Sequence, residues 1–218
     1  MNILQPISPV LIKLAKVYTS KQREFTYKDI SVTVLPGVFH PGLFISSKLL
    51  LDFVDNLNLN SKKLLDLGAG CGVISILAVK KGANVYASDI SNKAVENIKL
   101  NSNKNNTNIN VIASDLFQNI PEIQFDYIII NPPYYRRDPP QEEDYAWYCG
   151  SNFEFYSLLF SSLSKYLHEN SIVYMILSEV CDIEDIKSIG EENGFIWKLK
   201  LKKRVWGEKN YIYSITKS

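Results

Sequence analysis

The chain has 218 residues, 46% of them apolar and 22% charged, with a formal net charge of +1. That is enough for one well-filled domain plus a short extension, and the charge is too balanced to draw the whole molecule to nucleic acid or an acidic membrane. Cys71, Cys149 and Cys181 are odd in number and form no C-x-x-C pair, which argues against a disulfide scaffold or metal site and for a reducing, cytoplasmic setting; no signal peptide or membrane span is expected.

From the N-terminus, Ser8 and Pro9 read as the cap and first-turn residue of a helix over Pro9–Tyr18, with Val10, Leu11, Leu14 and Val17 on one face and Lys13 and Lys16 on the other. It is too short and too weakly basic for a membrane-surface helix and is expected to pack on the main domain. Phe25–Tyr27 and Ser31–Leu35 form a β-hairpin that Pro36 and Gly37 terminate, so residues 1–35 make an extension to a domain over 36–218. Ser46 or Ser47 then caps a helix running to about Leu57. His40, in a loop between Phe39 and Pro41, is expected to be structural rather than a catalytic base.

Further on, strand and helix patterns alternate. Strands are expected over Leu64–Leu67, Val85–Ser88, Ile109–Ala113, Phe125–Ile130 and Ile172–Leu177, and helices over Val73–Lys81, Asn92–Asn103, Phe153–Leu167 and Ile183–Asn193. Short connections between them imply an α/β fold, a parallel sheet with helices on both faces. Phe195–Val205 and Tyr211–Thr216, joined through W-G-E-K-N, close the chain as an antiparallel pair. The Asn-rich stretch Asn101–Asn110 reads as a helix end and surface loop, and Lys198, Lys200, Lys202, Lys203, Arg204 and Lys209 as a solvated strand face.

Lys63–Gly72, K-L-L-D-L-G-A-G-C-G, reads as strand, glycine turn and helix start. Glycines let the backbone approach a ligand, and the first amides of the following helix are free to bind it. Asp89, about twenty residues on at the end of the next strand, suits the two hydroxyls of a ribose. Val73 stands where a dinucleotide fingerprint needs its last glycine, so a nicotinamide cofactor is disfavoured. The pattern D-x-G-x-G-x-G, with Asp66 ahead of Gly68, Gly70 and Gly72, instead resembles the cofactor loop of class I S-adenosylmethionine-dependent methyltransferases. The resemblance implies that Asp66 favours the cofactor's ammonium group. Cys71, inside the turn, is read as a small residue at a crowded place.

Ligands of open α/β sheets sit beyond the carboxyl ends of the strands. Those ends are the glycine turn, Asp89, Ser114-Asp115-Leu116 and Asn131-Pro132-Pro133-Tyr134. Asp115 could accept an adenine amino group while the Leu116 amide meets the ring. N-P-P-Y is the sharpest signal in the chain: the prolines fix the backbone, and an –NH2 group can be held between the Asn131 side-chain oxygen and the Pro132 carbonyl, with Tyr134 as a flat face. Two acceptors pulling on its hydrogens aim the lone pair of an otherwise delocalised nitrogen, so catalysis rests on orientation and electrostatics rather than a strong base.

Together these residues resemble the small-domain amino methyltransferases, which include release-factor glutamine N5-methyltransferases and relatives acting on nucleobase amino groups. The resemblance covers about Val34 to Ile215. It implies a Rossmann-like seven-stranded methyltransferase sheet, mostly parallel with an antiparallel C-terminal hairpin, and S-adenosyl-L-methionine as cofactor. It further implies cofactor contacts from Asp66, Gly68, Ala69, Gly70, Gly72, Asp89, Ile90, Asp115, Leu116 and Asn131, and an acceptor site made by Asn131, Pro132, Pro133 and Tyr134. Two departures concern the release-factor enzymes: only about thirty residues precede the core instead of a helical domain, and Pro41–Ser47, P-G-L-F-I-S-S, lacks the acids of P-R-x-E-T-E. Eukaryotic and archaeal relatives lack the extra domain, and some need a small activating partner. The segment Tyr135–Gly150 supplies Arg136 and Arg137 against Asp138, Glu142, Glu143 and Asp144, with Tyr145, Trp147 and Tyr148 able to stack a base or line a peptide groove. Its acidic balance favours a protein glutamine, such as that of a translation release factor, over an RNA or DNA base. A non-catalytic cofactor-binding subunit is the third reading.

Overall fold

The computed structural model describes residues 8–141, 144–205 and 207–218, with the backbone alone for 8–11. In chain order the elements are α1 (Ser8–Thr19), β1 (Arg23–Tyr27), β2 (Ile30–Val34), α2 (Ile45–Asp55), β3 (Lys63–Leu67), α3 (Val73–Lys80), β4 (Asn84–Asp89), α4 (Asn92–Lys104), β5 (Asn110–Ala113), β6 (Phe125–Ile130), α5 (Glu154–Leu163), β7 (Leu167–Ser178), α6 (Ile183–Glu192), β8 (Phe195–Val205) and β9 (Glu208–Lys217). β1 and β2 form an antiparallel hairpin; the other strands make one seven-stranded sheet in the order β5-β4-β3-β6-β7-β9-β8. β3 to β7 pair in parallel, and β9 runs antiparallel to both β7 and β8. This is the expected sheet.

Strands covered on both faces read as unbroken apolar runs, because each alternate residue meets a different core. Leu64 and Ile129 pack into the core that holds Leu50, Val54, Ile76 and Ile98, from α2, α3 and α4. Leu65, Ile128 and Ile130 pack into the opposite core with Tyr156, Leu159, Phe160 and Ile186, from α5 and α6. Chain order reverses at β3, whose neighbours are β4 on one side and β6 on the other. A crevice therefore opens beyond the carboxyl ends of these strands.

The Asn-rich stretch is not simply a surface loop. Asn97 and Asn101 on α4 and Asn105 at its C-cap recur every fourth residue and face the free edge of β2. Asn101 Oδ1 accepts the Thr33 N–H at 2.8 Å, its Nδ2 donates to the Thr33 carbonyl at 2.8 Å and to the Cys71 carbonyl at 2.9 Å, and both Asn97 and Asn101 are fully buried. Asn97 accepts the Leu35 N–H at 3.0 Å and donates to Thr33 at 2.7 Å, while Asn105 donates to the Ser31 carbonyl at 2.9 Å. The ladder satisfies backbone groups that a neighbouring strand would otherwise take. It ties the hairpin to the sheet.

Other boundaries differ from expectation. Helix α2 starts after Phe44 without a side-chain cap and ends at Asp55, so Ser46 and Ser47 lie inside it, buried. Helix α5 stops at Leu163; a short 3₁₀ turn, Ser164–Tyr166, leads into β7 at Leu167. Most of W-G-E-K-N belongs to β9, with Glu208, Lys209 and Asn210 paired to Val205, Arg204 and Lys203; Trp206 lies outside the described residues. On α1 the docked residues are Ile12, Ala15 and Thr19, whereas Leu14 and Val17 are 60% and 66% exposed. The helix carries two apolar stripes, and the one that meets Trp147 and the Phe39–Phe44 loop is buried. The side chains of Ser8, Pro9, Val10 and Leu11 lie outside the described residues.

His40 is structural, as expected. It is buried between the rings of Tyr18 and Phe25, its Nδ1 accepts the Gly42 N–H at 3.0 Å, and burial lowers its pKa. The lysines of β8 lie exposed on an edge strand, where charge discourages pairing with another chain.

Candidate active site

The crevice holds a cavity of about 520 Å³. Its first wall is the glycine turn. Gly68 and Gly70 have φ of +76° and +57°, and a Cβ built on either would have nothing within 4 Å. Both glycines line the cavity, so the missing side chains leave room for a ligand against the backbone. Gly72 differs: its Cβ would stand 3.2 Å from Ile98 Cγ2, and it does not line the cavity. It lets α3 approach α4.

Three carboxylates approach this wall. Asp89 Oδ2 accepts the Gly70 N–H and Oδ1 the Ser91 N–H, each at 2.9 Å. Burial raises its pKa, and these amides oppose the rise. Asp66 is buried beneath the turn and accepts the Ser75 hydroxyl at 2.6 Å; burial pushes its carboxyl up to about 7. Asp115 is half-buried, with Oδ2 accepting from the Gln118 amide at 3.1 Å. Leu116 follows at φ +46°, its carbonyl held by the Ser114 hydroxyl at 2.9 Å. Ala69, Ile90, Asp115 and Leu116 all line the same cavity. Cys71 is buried and its thiol pushed up to about 12, an inert packing residue.

The opposite wall is the end of β6. Asn131 Oδ1 accepts the Tyr134 hydroxyl at 3.0 Å, and its Nδ2 donates to Ser47 Oγ at 3.4 Å. Burial holds the Tyr134 pKa well above its ordinary value, so the hydroxyl stays a donor. Tyr134 thus orients the Asn131 amide as well as offering a flat face. The Tyr156 hydroxyl donates to the Pro133 carbonyl at 3.0 Å and fixes the turn from below. Asn131, Pro132, Pro133 and Tyr134 share the cavity with Asp66, Gly68 and Asp89.

An aromatic group also lines the cavity. Phe39 stacks on Phe44 with ring centroids 5.3 Å apart, and Trp147 contacts them at 5.2 Å and 5.3 Å. The Tyr135 N–H donates to the Trp147 carbonyl and the Cys149 N–H to that of Tyr135, each at 2.9 Å. Behind Trp147, α1 packs through Ile12 and Ala15, and Lys16 pairs with the buried Asp144. Glu142 and Glu143 lie outside the described residues. The segment carrying Phe44 and Ser47 lines the cavity, as its resemblance to a cofactor-covering segment implies, and Trp147 is named from the sequence, whereas Ser75 and Glu208 are not. A serine in the first turn after a glycine loop was the available signal for Ser75; Glu208 is brought in by tertiary contacts. Among the described residues no cluster of His, Cys, Asp or Glu is placed to hold a metal ion, and no helix is long and apolar enough to cross a membrane.

A sheet reversed beside a glycine turn, with N-P-P-Y on the next strand, defines a Rossmann-like methyltransferase fold. The same fold is found in a T. thermophilus 16S rRNA N2 methyltransferase solved in complex with AdoMet and guanosine: the TM-score is 0.68 at 20% identity, over 91% of this chain and 51% of that one. Residues 29–146 match the methyltransferase small domain family, and the chain belongs to that family. It is 38% identical over 129 residues to a Methanocaldococcus jannaschii protein named "putative protein N5-glutamine methyltransferase", covering 59% of this chain and 61% of that protein. It is 37% identical over 113 residues to ribosomal RNA small subunit methyltransferase C of Haemophilus influenzae, covering 50% of this chain and 33% of that protein. The matches thus span less than two thirds of these relatives' own lengths.

Proposed function

We propose that the chain is an S-adenosylmethionine-dependent N-methyltransferase whose acceptor is the side-chain amide of a protein glutamine. The observation that carries this reading is the meeting, in one cavity, of the open glycine turn after β3 and the Asn131-Pro132 turn after β6. The glycine turn and its carboxylates suit the cofactor: Asp89 for the ribose hydroxyls, Asp115 and Leu116 for the adenine, and Asp66 for the ammonium group. When bound, S-adenosylmethionine supplies an electrophilic methyl group. The protein's part is to bind, orient and exclude water. The Asn131 carbonyl oxygen, held by Tyr134, and the Pro132 carbonyl accept the two hydrogens of the acceptor –NH2 and aim its lone pair. The apolar rings of Phe39, Phe44 and Trp147 lower the local polarity of the cavity, which strengthens those hydrogen bonds. No ionised base is needed to start the transfer: S-adenosylhomocysteine is the leaving group, and the methylated nitrogen gives up one proton to solvent afterwards.

The 38% identity to a protein named for glutamine methylation supports the acceptor. A nucleobase amino group is the second reading, favoured by the 37% identity to a ribosomal RNA methyltransferase. The test uses tritiated S-adenosylmethionine, the purified chain and a cell extract, which also supplies any small activating partner. Acid-stable label lost only after protease is the expected result; loss only after nuclease would replace glutamine with a base. No label in either macromolecule, with cofactor binding intact, would overturn both and leave a binding subunit.

A further inference from the structure

This inference rests on the glutamine reading. Because β9 is antiparallel to β7, its first residue, Glu208, lies at the carboxyl end of β7, the same end of the sheet as Asn131. Sheet order puts β7 and β9 on the side of β6 away from β3, β4 and β5. Glu208 is therefore separated from Asp66, Asp89 and Asp115 by the strand that carries Asn131. It lines the cavity together with Tyr134, Tyr135 and Val180, and its charge adds to burial in raising both tyrosine hydroxyls.

The carboxylate is anchored. Ser178, fully buried at the end of β7, donates its hydroxyl to Glu208 Oε1 while accepting the Val180 N–H at 3.2 Å. Among the described residues Oε2 has no hydrogen-bond partner and Glu208 has no ion pair. Three basic side chains near the hairpin turn are engaged elsewhere: Lys209 pairs with Glu179 at 3.3 Å, Arg204 Nε donates to the Gly207 carbonyl at 3.2 Å, and Lys202 lies over the Tyr211 ring at 5.7 Å. A half-buried carboxylate with one oxygen left open can take a charge-assisted hydrogen bond from an arriving cation. The Tyr135–Gly150 segment, with two arginines against four acids, has the same sign.

We propose that Glu208 is a specificity-determining residue on the acceptor side, where its free oxygen binds a basic side chain flanking the acceptor glutamine. Charge, not shape, makes the selection. A glutamine at 208 keeps the bond to Ser178 and removes only the charge, which separates recognition from folding.

The experiment uses pairs of short peptides, each with one central glutamine and, at a flanking position, either arginine or its uncharged isostere citrulline. Binding is measured by calorimetry on the full chain loaded with S-adenosylhomocysteine, and methyl transfer with labelled S-adenosylmethionine. The wild-type protein is expected to prefer the arginine peptide about tenfold in both readouts. Glu208→Gln brings the ratio to about one with cofactor affinity unchanged, and Glu208→Lys favours a peptide with glutamate at that position. No difference in binding between the two peptides, or a preference that survives Glu208→Gln, overturns the proposal. Charge-dependent binding that Glu208→Gln abolishes, without transfer to either peptide, supports the cation site and overturns the glutamine reading alone.

Discussion

The half of the cavity under β3, β4 and β5 is built from short contiguous pieces: Asp66 to Gly70, Asp89 with Ile90, and Asp115 with Leu116, each on or just after a strand. The half under β6, β7 and β9 is assembled from Phe39, Phe44, Ser47, Asn131 to Tyr134, Trp147 and Glu208, drawn from most of the chain. The first half presents backbone and carboxylates to a ligand of fixed shape. The second sets aromatic rings and one anchored carboxylate around a pair of amide acceptors. On the proposed function the local half takes an unchanging cofactor and the assembled half a variable acceptor, whose contacts arrive by tertiary packing.

The sharpest way to separate the halves is Asn131→Ala. Removing an acceptor aimed at the reacting nitrogen is expected to lower turnover about 100-fold or more, with S-adenosylhomocysteine affinity held within about threefold by calorimetry. Equal losses in both would mean that the two halves are one unit. Asn101→Ala tests how local the first half is, because this side chain joins the Cys71 carbonyl in the glycine turn to Thr33 on the hairpin. Leaving those buried groups unpaired should cost about 2–3 kcal/mol in denaturant unfolding. A cost near zero would show that the ladder only decorates the fold.

Asp89→Ala is the converse of the Asn131 variant. It removes the carboxylate that orders the Gly70 and Ser91 amides and is expected to weaken cofactor binding about 10- to 30-fold, leaving turnover at saturating cofactor within about threefold. The smallest effect is that of pH. Burial raises the Asp66 carboxyl from 3.8 to about 7, so the folded apoprotein holds a proton that the unfolded chain has already released. Its contribution to stability is present below the unfolded pKa and lost as pH rises towards about 7, and Asp66→Asn should abolish that slope in pH-dependent melts. If the cofactor ammonium meets ionised Asp66, binding releases this proton, and affinity tightens by up to about eightfold between pH 6 and pH 7.5. Flat affinity across that range would remove Asp66 from the cofactor contacts.

Much of this molecule was legible because its signals are local. Leu64–Leu67 and Phe125–Ile130 are, apart from Asp66 and Asp126, apolar runs without alternation, as expected of strands buried on both faces, and both fall where expected. The positive φ values in the glycine turn follow from residue type, as does the acceptor character of Asn131 and Pro132. The misreadings share a cause. Ser46 and Ser47 look like caps to a one-dimensional reading, but they lie inside α2; Asn101 reads as an ordinary helix-end residue, but an unpaired edge of β2 draws its side chain into a buried ladder. Glu208 looks like part of a turn until antiparallel pairing with β8 extends β9 back to the cavity mouth.

By itself the sequence determined the alternation of strands and helices, the parallel sheet with its final hairpin, and the two polar turns that meet in the cavity. These depend on residue type and spacing along the chain. Only the tertiary structure decided which stripe of α1 is buried, which asparagines replace a missing strand, and which carboxylate lines the cavity on the far side of β6. Those outcomes depend on which unsatisfied groups and apolar faces meet after the sheet has formed, and spacing along the chain does not encode distance across the fold.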